Sequence, residues 1–260
     1  DNAIHSSIAA LALEANVSEP TVNRFCRSMD TRGFPDLKLH LAQSLANGTP
    51  YVNRNVNEDD SVESYTGKIF ESAMATLDHV RHSLDKSAIN RAVDLLTQAK
   101  KIAFFGLGSS AAVAHDAMNK FFRFNVPVVY SDDIVLQRMS CMNCSDGDVV
   151  VLISHTGRTK NLVELAQLAR ENDAMVIALT SAGTPLAREA TLAITLDVPE
   201  DTDIYMPMVS RLAQLTVIDV LATGFTLRRG TKFRDNLKRV KEALKESRFD
   251  KQLLNLSDDR

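Results

Sequence analysis

Five short apolar runs occur at Ile102–Phe105, Val126–Tyr130, Val149–Ser154, Met175–Thr180 and Leu192–Leu196, and helix-like segments separate them. Together the runs are rich in β-branched residues. Strands that are apolar on both sides must be covered on both faces, and strands alternating with helices form a parallel sheet. The pattern therefore predicts an α/β fold with a five-stranded parallel sheet flanked by helices. It excludes an all-helical or a purely antiparallel chain. With 260 residues, 45% of them hydrophobic, there is material for a sizeable core. There is no Trp and only 6% aromatic residues, so an aliphatic core is expected.

The first fifty residues follow a different rule. Ser6-Ser7-Ile8-Ala9-Ala10-Leu11-Ala12 repeats apolar residues at helical spacing behind serines placed to cap. Ala15-Asn16-Val17 breaks that helix, and Ser18 followed by Glu19-Pro20 starts a second one that runs through Met29. After Gly33-Phe34-Pro35 a third helix is expected over about Asp36–Ala46. Two short helices joined by a tight turn are the plan of a helix-turn-helix, whose second helix enters the major groove of DNA. Ala9, Leu11, Val17, Val22 and Phe25 are expected to close the small core between them.

Thr21, Asn23, Arg24 and Arg27 then face outward, with side-chain chemistry suited to base edges and phosphates. Arg24 is the expected base reader, while Arg27 and Lys38 are expected at phosphates. The charge balance gives no support. Residues 1–50 carry four basic and five acidic side chains, and the whole chain has a net charge of −3.

Asn47–Asp60 is polar, with Gly48, Pro50 and several Asn, and reads as a linker. The expected organisation is an all-helical helix-turn-helix domain over 1–47, a linker over 48–61 and the sheet domain over 62–250. An amphipathic helix over Val62–Leu84 opens the last of these, followed by a helix over Ser87–Ala99. Two helices, about Met208–Leu227 and Asp235–Lys245, close it.

Open parallel sheets bind ligands beyond the carboxyl ends of their strands. Strand one is followed by Gly106-Leu107-Gly108-Ser109-Ser110-Ala111, which imitates a dinucleotide fingerprint, with Asp132 or Asp133 as the matching acid. Strand three is followed by Ser154-His155-Thr156-Gly157-Arg158-Thr159, three hydroxyl side chains set around one Gly just before a helix. Amides at a helix start together with hydroxyl donors can surround a terminal phosphate without much positive charge. Dinucleotide binding has no use for this second loop. Ser109, Ser110, Ser154, Thr156, Gly157 and Thr159 are accordingly the candidate phosphate ligands. Thr180-Ser181-Ala182-Gly183-Thr184-Pro185 adds a further hydroxyl-rich turn after strand four.

These loops resemble the SIS (sugar isomerase) phosphosugar-binding domain. With a helix-turn-helix in front and Ser210-Arg211-Leu212-Ala213-Gln214-Leu215 plus Asp219 near the end, the chain is similar to the RpiR family of bacterial regulators. The resemblance covers nearly the whole chain. It implies a dimeric repressor of sugar catabolism genes, bound to a palindromic operator and released by 2-keto-3-deoxy-6-phosphogluconate or a similar sugar phosphate, with no other cofactor. It further implies that Ser110 and Ser154 contact the effector and that Arg24 and Arg27 serve DNA. Such regulators have a helix before the position of His5, so a shortened DNA-binding domain is expected here.

SIS domains also catalyse, and a sugar-phosphate isomerase is the main alternative. Its base would have to be His115, His155 or Glu164, which are suitable only by position. An NAD-binding module resting on the Gly106 loop is the other. Cys141-Met142-Asn143-Cys144 has the spacing of a zinc or redox pair, but no second ligand pair follows it, so packing is the expected role and no metal is expected. No run approaches the roughly 18 apolar residues of a membrane span, and no signal pattern opens the chain. A cytoplasmic location without membrane contact is expected.

Overall fold

The computed structural model describes residues 6–29, 31–38, 55–200, 202 and 206–244. They belong to two units, Asp1–Ser72 with Asp201–Met206, and Ala73–Glu200 with Pro207–Arg260.

In the first unit, helix α1 (Ile8–Glu14) is capped by Ser7, whose hydroxyl accepts the Ala10 N–H at 3.1 Å. The turn passes through Asn16 at φ 52°, a left-handed conformation that a short polar side chain tolerates. Helix α2 (Glu19–Ser28) starts after Ser18, with Pro20 in its first turn. The small core consists of Ala12, Val22, Cys26 and Phe34, with Ile8, Leu11 and Leu37 against it. This corrects the expected core. Val17 is 43% and Phe25 57% exposed, and Ala9 is also exposed. On α2 the inward positions are Val22 and Cys26, one helical turn apart, and this phase turns Phe25 outward. Residues 34–38 are helical, whereas the rest of the third expected helix and the first half of the linker lie outside the described residues. Helix α3 (Val62–Ser83) spans the division between the units.

The second unit contains the sheet. Its strands are β1 (Lys101–Gly106), β2 (Val128–Tyr130), β3 (Asp148–Ile153), β4 (Met175–Thr180) and β5 (Leu192–Thr195). Every pairing is parallel and the order is β2-β1-β3-β4-β5. The helices are α4 (Lys86–Gln98), α5 (Ser109–Phe121), α6 (Ile134–Met142), α7 (Lys160–Glu171), α8 (Pro185–Glu189) and α9 (Val209–Ala243).

Successive strand residues point to opposite faces and feed two separate cores. Ile102, Phe104, Val151 and Ile177 meet α4, α5 and α9, while Ala103, Phe105, Val150 and Val176 meet α6, α7 and α8. The first of these cores is not simply aliphatic. Phe121, Phe124, Phe225 and Phe233 form a cluster, with Phe124 stacked on Phe225 at 4.9 Å and Phe121 edge-on to it at 5.5 Å. Four of the chain's phenylalanines meet at this one helix junction, where their bulk fills the core despite a low overall aromatic content. Helix α9 is broken at Gly230, where φ 75° and ψ −163° interrupt it, so it corresponds to the two closing helices expected.

Candidate functional site

Strands β1 and β3 are neighbours although β2 lies between them in sequence. The chain leaves β1 toward one edge and β3 toward the other. This is the switch point of the sheet, where the following loops diverge and leave a crevice. Gly106 at the end of β1 is in register with Ile153 at the end of β3. The Leu107–Ser109 and Ser154–Thr159 loops therefore start side by side at the same sheet edge, from strands about 4.8 Å apart. Both loops run directly into helices, α5 and α7.

The first loop is tight. Gly108 takes φ 56°, and a Cβ on Gly106 would lie 2.6 Å from the Ser110 carbonyl oxygen. Ser109 is half-buried. Ser110 is buried, and its hydroxyl makes no hydrogen bond among the described residues. From below, Gln137 on α6 donates through Nε2 to the Gly106 carbonyl at 3.3 Å and the Ser131 carbonyl at 2.7 Å. In sequence Gln137 looks like a surface residue of a helix, so nothing local marks it as a brace.

In the second loop the buried Ser154 accepts the Gly157 N–H at 3.1 Å, which fixes the turn. Thr156 and Thr159 are half-buried beside it. Thr159 holds the N-cap position of α7 but makes no side-chain capping bond, and Gly108 at the start of α5 has no side chain to make one. The first-turn amides of both helices are thus left without the usual side-chain oxygen. The hydroxyl-rich turn after β4 is a buttress for this loop. Ser181 donates from its N–H and its hydroxyl to the His155 carbonyl at 3.1 and 2.8 Å, and Leu186 N–H donates to the Gly157 carbonyl at 3.1 Å.

His155 Nε2 is 3.1 Å from the Glu200 carbonyl oxygen, an acceptor, so the ring donates from that nitrogen. The Glu200 carboxylate in turn accepts the N–H groups of Met208, Val209 and Ser210 at 2.7, 2.9 and 3.2 Å, and the Ser210 hydroxyl. It neutralises the free amides at the start of α9. The remaining candidates for an isomerase base are committed elsewhere. His115 stacks on Tyr130 at 4.9 Å, and Glu164 pairs with Arg138 at 2.9 Å. Asp133, one of the two acids that would match a dinucleotide, caps α6 by accepting the Leu136 N–H at 2.9 Å.

Burial pushes the Cys141 thiol up to about 12 and raises that of Cys144, the opposite of what a redox or metal-binding pair needs. No cluster of three or more His, Cys, Asp or Glu suited to a metal exists among the described residues. No helix among them is long and apolar enough to cross a membrane.

On the helix-turn-helix, Arg24 and Arg27 are exposed on α2. Arg24 donates to Thr21 Oγ1 at 3.0 Å, and the same hydroxyl lies 2.9 Å from Ser18 Oγ. Asn23 and Lys38 have internal tasks. Asn23 Oδ1 accepts the Phe34 N–H at 3.2 Å, and Lys38 Nζ donates to the Ser6 carbonyl at 3.0 Å. Arg24 and Arg27 are therefore the most available of the five expected DNA contacts.

A model described as a helix-turn-helix domain of the rpiR family matches residues 1–48, and the SIS domain matches residues 95–224. The Escherichia coli K12 protein named HTH-type transcriptional regulator HexR is 99% identical over all 260 residues, which cover 90% of its length. The chain belongs to the RpiR family. Another relative, HexR of Pseudomonas aeruginosa, is 58% identical over 94% of the chain and 85% of its own length. Among solved structures, Vibrio vulnificus NanR complexed with ManNAc-6P shares the fold at a TM-score of 0.65, with 24% identity over 95% of this chain and 88% of NanR. The RpiR-family chain is thus a transcription regulator, with a helix-turn-helix in front of a SIS domain.

Proposed function

We propose that the chain is a cytoplasmic repressor of sugar catabolism genes whose hold on operator DNA is released by a phosphorylated sugar acid such as 2-keto-3-deoxy-6-phosphogluconate. One observation carries the effector part. Two hydroxyl-bearing loops, each leading into a helix whose first amides lack a side-chain cap, start from in-register ends of adjacent strands at the switch point. Amides and hydroxyls converging there suit a dianionic phosphate, with Ser109, Ser110, Thr156 and Thr159 at the rim and Ser154 holding the turn. The ManNAc-6P with which NanR is complexed is a sugar phosphate, and it agrees with this class of ligand.

The regulator acts as a dimer, with two α2 helices about 34 Å apart, or a multiple of that, on a palindromic site. Arg24 reads a base edge there, and Arg27 contacts phosphate.

The test is calorimetric titration of the protein with a panel of sugar phosphates, with NAD as the control and turnover followed in parallel. Saturable binding of a phosphorylated sugar acid without turnover is expected. Binding of NAD alone, or conversion of an aldose phosphate to a ketose phosphate, would replace the proposal with one of its rivals. Arg24→Ala should weaken operator binding, costing about 1–3 kcal/mol of base discrimination, and leave effector binding unchanged.

A further inference from the structure

Beneath the two loops lies a second polar group that the phosphate does not explain. Most buried polar side chains of the described residues are satisfied by the protein. Thr31, Asp148, Ser154, Thr180 and Ser210 each make a hydrogen bond. Thr76, Ser110 and Gln214 make none. Gln214 is the extreme case, a primary amide only 2% exposed. Leaving such a group dry and unpaired is costly, so its surroundings matter.

Packing places it. Helices α5 and α9 run in the same direction, because Lys120 meets Asp219 at 3.0 Å, Phe121 meets Phe225 at 5.5 Å, and Phe124, just past the end of α5, meets Phe233 at 5.6 Å. Ser110 stands eleven residues before Phe121, and Gln214 stands eleven before Phe225. Both helices rise about 1.5 Å per residue, so the two side chains lie within about 8 Å of one level, near the starts of their helices and above the aromatic cluster. That level is the carboxyl edge of the sheet. Ser110 is in the first turn after β1, and α9 begins where Glu200 joins His155 of the phosphate loop.

The inward stripe of α9 agrees with this phase. Ala213, Val217, Ile218 and Leu221 are buried on it, and Ser210 and Gln214 are its only polar members near the start among the described residues. Ser210 is held by Glu200, but Gln214 has no such partner. Nor is its amide sealed in. Gln137 Oε1 is the only solvent-sealed side-chain atom lacking a partner among the described residues, so the Gln214 amide keeps a trace of solvent contact although the residue is only 2% exposed.

We propose that Gln214 is a specificity-determining residue of the crevice, reading the carbon chain of the phosphosugar. The phosphate is held by the loops, Ser110 included, and the Gln214 amide meets an oxygen of the sugar or sugar-acid portion. An amide both donates and accepts, so it can pair with a hydroxyl, a keto oxygen or a carboxylate. A site built to hydrogen-bond a ligand group rejects analogues lacking that group, because its own buried polar atoms are then left unpaired. The inference rests on the phosphosugar reading above.

Calorimetry on the full chain separates the two ideas. Wild type and Gln214→Met, which removes both polar atoms at similar volume, are titrated with inorganic phosphate and with 2-keto-3-deoxy-6-phosphogluconate. Thermal unfolding of each unliganded protein is recorded alongside. Gln214→Met is expected to bind inorganic phosphate as wild type does and the sugar acid roughly tenfold more weakly. Its unfolding midpoint should equal or exceed that of wild type, since no protein hydrogen bond is lost. Unchanged sugar-acid affinity, or a lowered midpoint with both ligands weakened, would overturn the role of Gln214. Failure of the wild type to bind the sugar acid would instead overturn the phosphosugar reading itself, and the inference with it.

Discussion

At Gly157 the backbone has φ 58°, and an added Cβ would stand 2.3 Å from Thr184 Oγ1 and 2.5 Å from Thr180 Oγ1. The loop that carries Ser154 and Thr156 is thereby pressed against the turn after β4. Gly157→Ala is expected to cost about 1–3 kcal/mol, as non-glycine residues in strained conformations do, and to abolish phosphate binding by lifting the loop. Chemical denaturation with phosphate titration checks it, and a variant of wild-type stability and affinity would contradict this geometry. The sequence motif alone makes this loop legible, because hydroxyls around one Gly before a helix are a local signal. Asn23 and Lys38 are less so. Their chemistry suits DNA, but their side chains meet Phe34 and Ser6, contacts that depend on how the chain after α2 folds back. Glu200 and Gln137 carry no local signal, since what they do depends on partners far away in the chain, and the surroundings of Gln214 depend on how α9 packs.

Elements are more legible than single contacts. Alternating strands and helices set the five strands within a residue or two, and Ser7 and Ser18 mark helix starts. The phase of α2 is not legible in the same way, because Val17 and Phe25 are apolar yet the inward stripe passes through Val22 and Cys26. At the start of α3, Asp60 accepts the Asn57 N–H and the Ser64 hydroxyl, both at 2.8 Å, and the Lys68 ammonium at 2.6 Å. The Lys68 hydrogen bond, with those from Asn57 and Ser64, lowers its pKa from 3.8 to about 2. A depressed carboxylate stabilises above its unfolded value and loses that contribution as pH falls through the folded value. Wild type should therefore lose more stability than Asp60→Asn between about pH 4 and pH 2, and the two should run parallel above about pH 5. Thermal unfolding across that range measures it, and curves parallel throughout would contradict the assignment.

For the whole molecule, the order β2-β1-β3-β4-β5 is what turns separate motifs into one candidate site. No local pattern gives strand order, so from sequence the meeting of the Gly106 and Ser154 loops rests on a general rule and a family resemblance. The structure supplies the register that joins them. A ligand in that crevice can change DNA occupancy only by preferring one state of the regulator, and its effect is limited by that preference. The direct measurement is fluorescence anisotropy of labelled operator DNA with wild type and Ser154→Ala, as 2-keto-3-deoxy-6-phosphogluconate is added. Wild type should lose operator affinity by roughly 5- to 150-fold, the span usual for such coupling, while Ser154→Ala binds the DNA equally well and keeps it. Equal release from both proteins, or none from wild type, would contradict the claim that this crevice governs the DNA-binding helices.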